Sequence, residues 1–260
     1  MILERVEHPR WLSNTWIAAA AEGGAGVIVD AGGPAGPVLD LVRRRRLRIT
    51  HLLLTHHHGD HVAEREALVA ATGAHVAAHP LEAARMGGVD REVGDRDVVA
   101  AGPLRVEAMH IPGHTDGQTA WLVADVSGQG SPAVCFTGDT LFRGAIGSTT
   151  APGHTDFADL KRSLLERLLS LPDDVQVAPG HSEPTSIGEE RAANPFLRVL
   201  LGVDVEGTGT GRFDGVTVRV IVEARDYDGG TKAWIRFPDG RDMTIPGSRL
   251  SARRSAAERA

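Results

Sequence analysis

The sequence predicts an α/β sandwich, with sheets in the middle and helices outside, followed by a small C-terminal β unit. Three observations lead there. Strand-length runs of Val, Ile and Leu alternate with helix-period segments as far as residue 204. His and Asp residues recur directly after strand ends, where loops gather at one edge of the sheets. Beyond a Gly/Thr-rich stretch, the apolar pattern changes to strict alternation.

The elements follow in order. A β-branched run at 26–29 ends at Asp30, and Gly32-Gly33-Pro34 breaks it. Residues 37–47 read as a helix with Val38, Leu41 and Val42 on one face and Pro37 in its first turn. A strand over 49–54 stops at Thr55. A helix is expected over 61–71, closed by Gly73. Strands are expected over 74–78, 104–111, 119–126, 133–137 and 175–178. Asp156 is the expected N-cap of a helix over 157–171, which Pro172 ends. Ser186 with Glu189 fits a capping box for one more helix. Residues 205–211 read as a linker. After it, Val216, Val218, Val220 and Val222 alternate with polar residues, and turns at 226–230 and 238–240 separate two further strands. The division is therefore 1–204, the linker 205–211, and a β appendage over 212–260 whose last ten residues, 251–260, read as a charged, frayed end.

Composition limits the classes. The 260 residues hold 42% hydrophobic and 24% charged residues, an ordinary globular balance for a domain with a small appendage. A net charge of −6 argues against a nucleic-acid partner. The one basic run, Arg43-Arg44-Arg45-Arg46-Leu47-Arg48, reads as a solvated helix end. The single cysteine, Cys135, cannot form an intrachain disulfide and sits in an apolar run, which predicts a buried thiol and a reducing compartment. The N-terminus lacks a leader pattern and no apolar run is long enough to span a bilayer, so a cytoplasmic protein without a membrane partner is expected.

The densest signal is Thr55-His56-His57-His58-Gly59-Asp60-His61. Imidazole nitrogen and carboxylate oxygen both bind zinc, and imidazole also suits iron. His56 and His58 are two apart on an extended loop and can point the same way. Asp60 and His61 sit where the loop enters a helix, and Gly59 lets the chain turn between the pairs. His114, Asp139 and His181 each follow a strand beside glycine. Together they supply seven ligands, enough for two metals sharing one carboxylate. Pro-Gly-His-Thr-Asp occurs twice, at 112–116 and 152–156. A strand precedes only the first, so His114 is taken as the ligand and His154 as solvent-exposed. His57, His75, His79 and His110 are not expected to be ligands.

With these motifs, residues 10–200 resemble the metallo-β-lactamase superfamily, nearest its hydroxyacylglutathione hydrolase (glyoxalase II-like) branch. His56-x-His58-x-Asp60-His61, Pro112-Gly113-His114-Thr115, Thr137-Gly138-Asp139-Thr140 and Pro179-Gly180-His181 carry the resemblance, with the closing segment from Ile187 to Phe196. It implies an αββα sandwich with the metals at one edge of the sheets. It implies that His56, His58 and His114 hold one metal and Asp60, His61 and His181 the other, with Asp139 bridging. Asp30 would support the site without ligating.

Two such metals, zinc first with iron or manganese as alternatives, would share a water and lower its pKa to give a hydroxide at pH 7. That metal-bridging hydroxide would attack a carbonyl, with Asp60 orienting it or moving a proton. The resemblance makes a thioester or ester of a small molecule the leading substrate over a β-lactam, because glyoxalase II-like enzymes keep the bridging Asp. The alternative is a mononuclear iron persulfide dioxygenase using His56, His114 and Asp139. A lactonase, β-lactamase or nuclease of the same superfamily ranks lower. Two departures stand out. Ser148 occupies a position where the family usually has Arg, and the tail, with the only tyrosine, Tyr227, reads as β rather than helical. The tail would serve dimerisation, cover the pocket, or merely stabilise the chain.

Overall fold

The computed structural model describes residues 1–127 and 132–254. The first sheet comprises β1 (Ile2–Glu7), β2 (Asn14–Ala19), β3 (Ala25–Val29), β4 (Arg48–Leu53), β5 (His75–Ala78) and β6 (Arg91–Glu92), neighbours in that order. β1 to β3 pair antiparallel, and β3 to β6 pair parallel. The parallel steps are bridged by α1 (Ala35–Arg44), by α2 (Gly59–Val62) with α3 (Arg65–Thr72), and by α4 (Pro80–Met86), as parallel pairing requires. The second sheet is built from β7 (Val98–Ala101), β8 (Leu104–His110), β9 (Thr119–Asp125) and β10 (Val134–Gly138). A hairpin of β11 (Leu141–Phe142) and β12 (Ala145–Ile146) and the helix α5 (Phe157–Arg162) follow, and β13 (Gln176–Pro179) and β14 (Thr185–Ser186) complete the sheet in the order β14-β13-β10-β9-β8-β7. The helices α6 (Ile187–Ala193) and α7 (Pro195–Leu200) close this part.

Alternation along the strands builds the layers. Trp16, Ala18, Val27 and Val29 face Val106, Trp121, Val134 and Phe136 across the two sheets. The intervening Ile17, Ala19 and Ile28 face Val38, Val42 and Leu68 of the first helical layer. On the other side, Cys135 and Val177 face Leu160, Leu164 and Phe196. The result is the αββα sandwich the motifs implied. Cys135 is fully buried, and burial pushes its thiol up to about 12. In the basic run, Arg45 bonds Glu4 and Glu22, tying the helix end to β1.

Two helices differ from expectation. The helix expected over 61–71 is two, because Ala31 captures both backbone groups at the joint: its N–H donates to His61 O and its carbonyl accepts from Glu64 N. The helix from Phe157, capped by Asp156 as expected, widens to a π-helix over Ser163–Leu168. There Ser163 Oγ donates to Pro112 O at 2.7 Å, and the helix packs tightly against Gly113. At Ser186 only half of the capping box forms, since Glu189 accepts from Thr185 Oγ1 instead of returning to the backbone.

The tail is a five-stranded antiparallel sheet of β15 (Gly209–Phe213), β16 (Val216–Arg225), β17 (Thr231–Arg236), β18 (Asp242–Pro246) and β19 (Ser251–Arg254), in the order β18-β17-β16-β15-β19. It begins inside the run read as linker. It also takes in residues 251–254, read as frayed, because they pair with β15. Residues 255–260 lie outside the described residues. The sheet has its own core of Phe213, Val218, Ile235 and Leu250. It is nonetheless docked: Ile221, Val222 and Trp234 join the core beneath α5, with the Trp234 ring stacked on Phe157 at 4.7 Å.

Candidate metal centre

β8, β10 and β13 run in the same direction, so the loops after them emerge at one edge, where the loop after β4 meets them. His56 and His58 lie on the β4 loop, with Asp60 and His61 in α2. His114, Asp139 and His181 follow β8, β10 and β13. All seven predicted residues converge. His56, His58 and His114 offer ligand atoms within 4.8 Å of one another, as do Asp60, His61 and His181, and also His56, His61 and Asp139. The Asp139 carboxylate lies between the first two groups, 3.3 Å from His61 Nε2 and 3.5 Å from both His114 Nε2 and His181 Nε2. The chain passes close here: a Cβ on Gly180 would sit 2.2 Å from Asp139 Oδ1.

Each imidazole is fixed from behind. His61 Nδ1 donates to Asp30 Oδ2 at 2.9 Å, and Thr55 Oγ1 donates to the same oxygen at 2.8 Å. Thr55 Oγ1 is thereby free to accept from His56 Nδ1 at 2.9 Å. His114 Nδ1 donates to Ser148 O and His181 Nδ1 to Leu12 O. These four rings turn Nε2 inward. His58 is reversed: its Nε2 donates to Pro152 O at 2.9 Å, leaving Nδ1 inward. The backbone carbonyls of Ser148 and Pro152 thus orient two of the rings. Asp30 reaches its place with a left-handed φ of 57° at the end of β3.

The interior is asymmetric in charge. Burial, with His61 alongside, holds His56 well below its ordinary value, and burial with His58 alongside takes His114 down to about 4. Burial also opposes a charge on His181, but the Asp139 and Asp60 carboxylates outweigh it and raise it to about 10. Asp139 is held well below the carboxylate range against its own burial by His181 and His61. His56 Nε2 and Asp139 Oδ1 are buried without a hydrogen-bond partner. Buried polar atoms without partners are rare, and these two face a set of nitrogen and oxygen donors of the kind divalent metals bind. The donor set fits such ions.

Other histidines fall elsewhere. His57 bonds the fully buried Glu82, His79 stacks on His110, and His154 is exposed with Nδ1 donating to Thr155 O. Sequence reading missed Glu82. Its carboxylate accepts from His57 N, Thr115 Oγ1 and Gly117 N, so it ties the His56–His58 loop to the His114 loop. An acidic residue in the first turn of α4 carries no sign of that burial.

A cavity of about 360 Å³ opens over Asp60, His114, Asp139 and His181. The tail covers it on one side: Tyr227 stacks on His181 at 4.1 Å, with Phe142 edge-on to both rings, and Lys232 and Arg249 complete the wall. Thr149 N donates to Thr244 O, and Thr244 Oγ1 to Gly147 O, locking β18 to the loop behind His114. No helix among the described residues is long and apolar enough to cross a membrane.

Known proteins resemble this chain to different extents. An uncharacterized protein of Mycobacterium tuberculosis is 34% identical over 211 residues, covering 72% of this chain and 93% of its own. The hydroxyacylglutathione hydrolase of Cereibacter sphaeroides is 35% identical over 188 residues, covering 72% of this chain and 69% of its own. Among solved structures, TTHA1623 in a di-iron-bound form is 33% identical with a TM-score of 0.61, covering 75% of this chain and all of its own. ETHE1 from Myxococcus xanthus is 27% identical with a TM-score of 0.65, covering 79% and 92%. Residues 8–181 match the model of the metallo-beta-lactamase superfamily, which ends before the C-terminal sheet begins, and the chain belongs to that superfamily.

Proposed function

We propose that the protein is a binuclear metal-dependent hydrolase that cleaves a thioester or ester. The observation that carries this reading is the Asp139 carboxylate between two three-residue groups, each able to hold an ion. His56, His58 and His114 would hold one ion and Asp60, His61 and His181 the other, with Asp139 shared. Likeness to hydroxyacylglutathione hydrolases supports the substrate class. Divalent ions held by these residues would supply Lewis acidity and would lower the pKa of a bound water toward neutrality. Zinc is the first choice, and the di-iron form of a 33% identical protein makes iron the second.

The chain's own groups do the rest. Asp60 has a side chain 31% exposed, toward the cavity, and is the group to orient the attacking water and take its proton. Phe142 and Tyr227, packed edge to face, form an apolar wall of the cavity against which the substrate would lie. Protein stripped with chelator and reloaded with zinc, then assayed on a panel of thioesters and esters, should turn over at least one. Asp60→Asn should not, and unchanged turnover in that variant would remove Asp60 from the mechanism. Oxygen uptake with a thiol persulfide and iron-loaded protein, without thioester cleavage, would replace this reading by a single iron on His56, His114 and Asp139.

A further inference from the structure

Lys232 is the least expected residue in the cavity. It lies on β17, only 5% exposed, yet lines the space above His114 and Asp139. Asp226 is its one carboxylate partner among the described residues, at 2.9 Å. The Phe142 and Tyr227 rings lie 5.7 and 5.8 Å from its nitrogen. An ammonium has three donors, and Asp226 takes one. Burying an ion pair brings little net stability, and an apolar side chain would fill the slot between the two rings without the desolvation penalty. The chain otherwise relies on arginine: lysine occurs only at 161 and 232, against 28 lysines and arginines together. A compact ammonium with spare donors, in the wall of the cavity above the candidate ligands, is suited to a charged partner that enters that space.

We propose that Lys232 is a specificity-determining residue that takes a carboxylate of the substrate, beside the bond being cleaved. This rests on the hydrolase reading above. Asp226 already neutralises the ammonium, so an incoming anion is held by the spare N–H donors, and a singly charged carboxylate meets less repulsion there than a dianionic phosphate. Arg249, anchored to Asp214 at 3.1 Å, adds a second cation at the same wall. Lys232 lies in the C-terminal sheet and Arg249 in the turn between β18 and β19, both beyond the superfamily match at residues 8–181. The tail is thus the part of the active site that selects the substrate.

The test compares matched substrates on metal-loaded protein. S-acetyl-3-mercaptopropionate carries a carboxylate on the thiol side, and the S-succinyl thioester of N-acetylcysteamine carries one on the acyl side. Each is run against its carboxamide counterpart. Wild type should prefer at least one carboxylate by about tenfold in kcat/KM, the usual scale of one charge-assisted hydrogen bond. Lys232→Met should lose that preference, mainly through KM. A merely structural role would lower both members of a pair and leave the ratio intact, and an unchanged ratio overturns the proposal. If Lys232→Met does not fold, Lys232→Gln serves in its place. If wild type cleaves none of the four, turnover does not report on Lys232, and the hydrolase reading stands or falls on the wider thioester and ester panel. Calorimetric binding of 3-(methylthio)propionate against 3-(methylthio)propionamide then decides the role of Lys232. A wild-type preference that Lys232→Gln abolishes upholds it, and equal ratios in the two proteins refute it.

Discussion

The loops that carry His56 to His181 and the hairpin that carries Tyr227 and Lys232 meet in one cavity, but they are held in different ways. In the loops every imidazole is oriented by its own hydrogen bond, to Asp30, Thr55, Ser148, Pro152 or Leu12. Directional bonds fix ring angle and tautomer together, as ligation requires. The hairpin is held mostly by packing: Tyr227 on His181, Trp234 on Phe157, Lys232 between rings. Packing tolerates exchange of side chains of similar volume. The difference suggests that chemistry resides in the loops and substrate choice in the hairpin.

The largest effect that would sharpen this contrast is at Asp60. Asp60→Asn should lower turnover by about 10²–10⁴-fold, the range for a group that moves a proton, with the protein still folded by circular dichroism. A comparable loss from Tyr227→Phe would break the contrast by putting chemistry in the hairpin. Next in size is the docking of the sheet. Trp234→Ala should destabilise the protein by about 3–5 kcal/mol, read from denaturant unfolding, because a buried aromatic is replaced by a cavity. A loss below about 1 kcal/mol would show the sheet to be a loose appendage.

Smaller still is the support behind the ligands. Asp30→Asn should weaken metal binding by about 10–100-fold, measured by competition with a chromogenic chelator. The charge asymmetry gives the subtlest effect. In the metal-free protein His114, at about 4, is neutral at pH 7.5, whereas His181, at about 10, still carries its proton. Loading the His56–His58–His114 group should release few protons, and loading the group with His181 should release more. Calorimetry in buffers of different ionisation enthalpy measures this, and equal release at both steps would contradict it.

The convergence of the loop residues was legible in the sequence because their spacing is local. His56-x-His58-x-Asp60-His61 spans one loop and one helical turn, and each later candidate sits beside a glycine after an apolar strand. The supporting role expected of Asp30 came from the family resemblance and not from its spacing. Glu82 could not be given such a role, since its partners His57, Thr115 and Gly117 come from two distant loops and nothing around α4 predicts its burial. The tail's strands followed from period-two alternation. Their docking did not, because the Tyr227–His181 stack and the Thr149–Thr244 bonds join residues far apart in sequence. The split between α2 and α3 was hidden likewise, as it depends on Ala31 bonding both His61 and Glu64.

The most direct test of the central claim is metal content per chain, by mass spectrometry on untagged protein purified without chelator. Two three-residue half-sites joined by Asp139 predict about two ions per chain, with both lost together in Asp139→Ala. Close to one iron per chain, unaffected by His181→Ala, would contradict a binuclear centre.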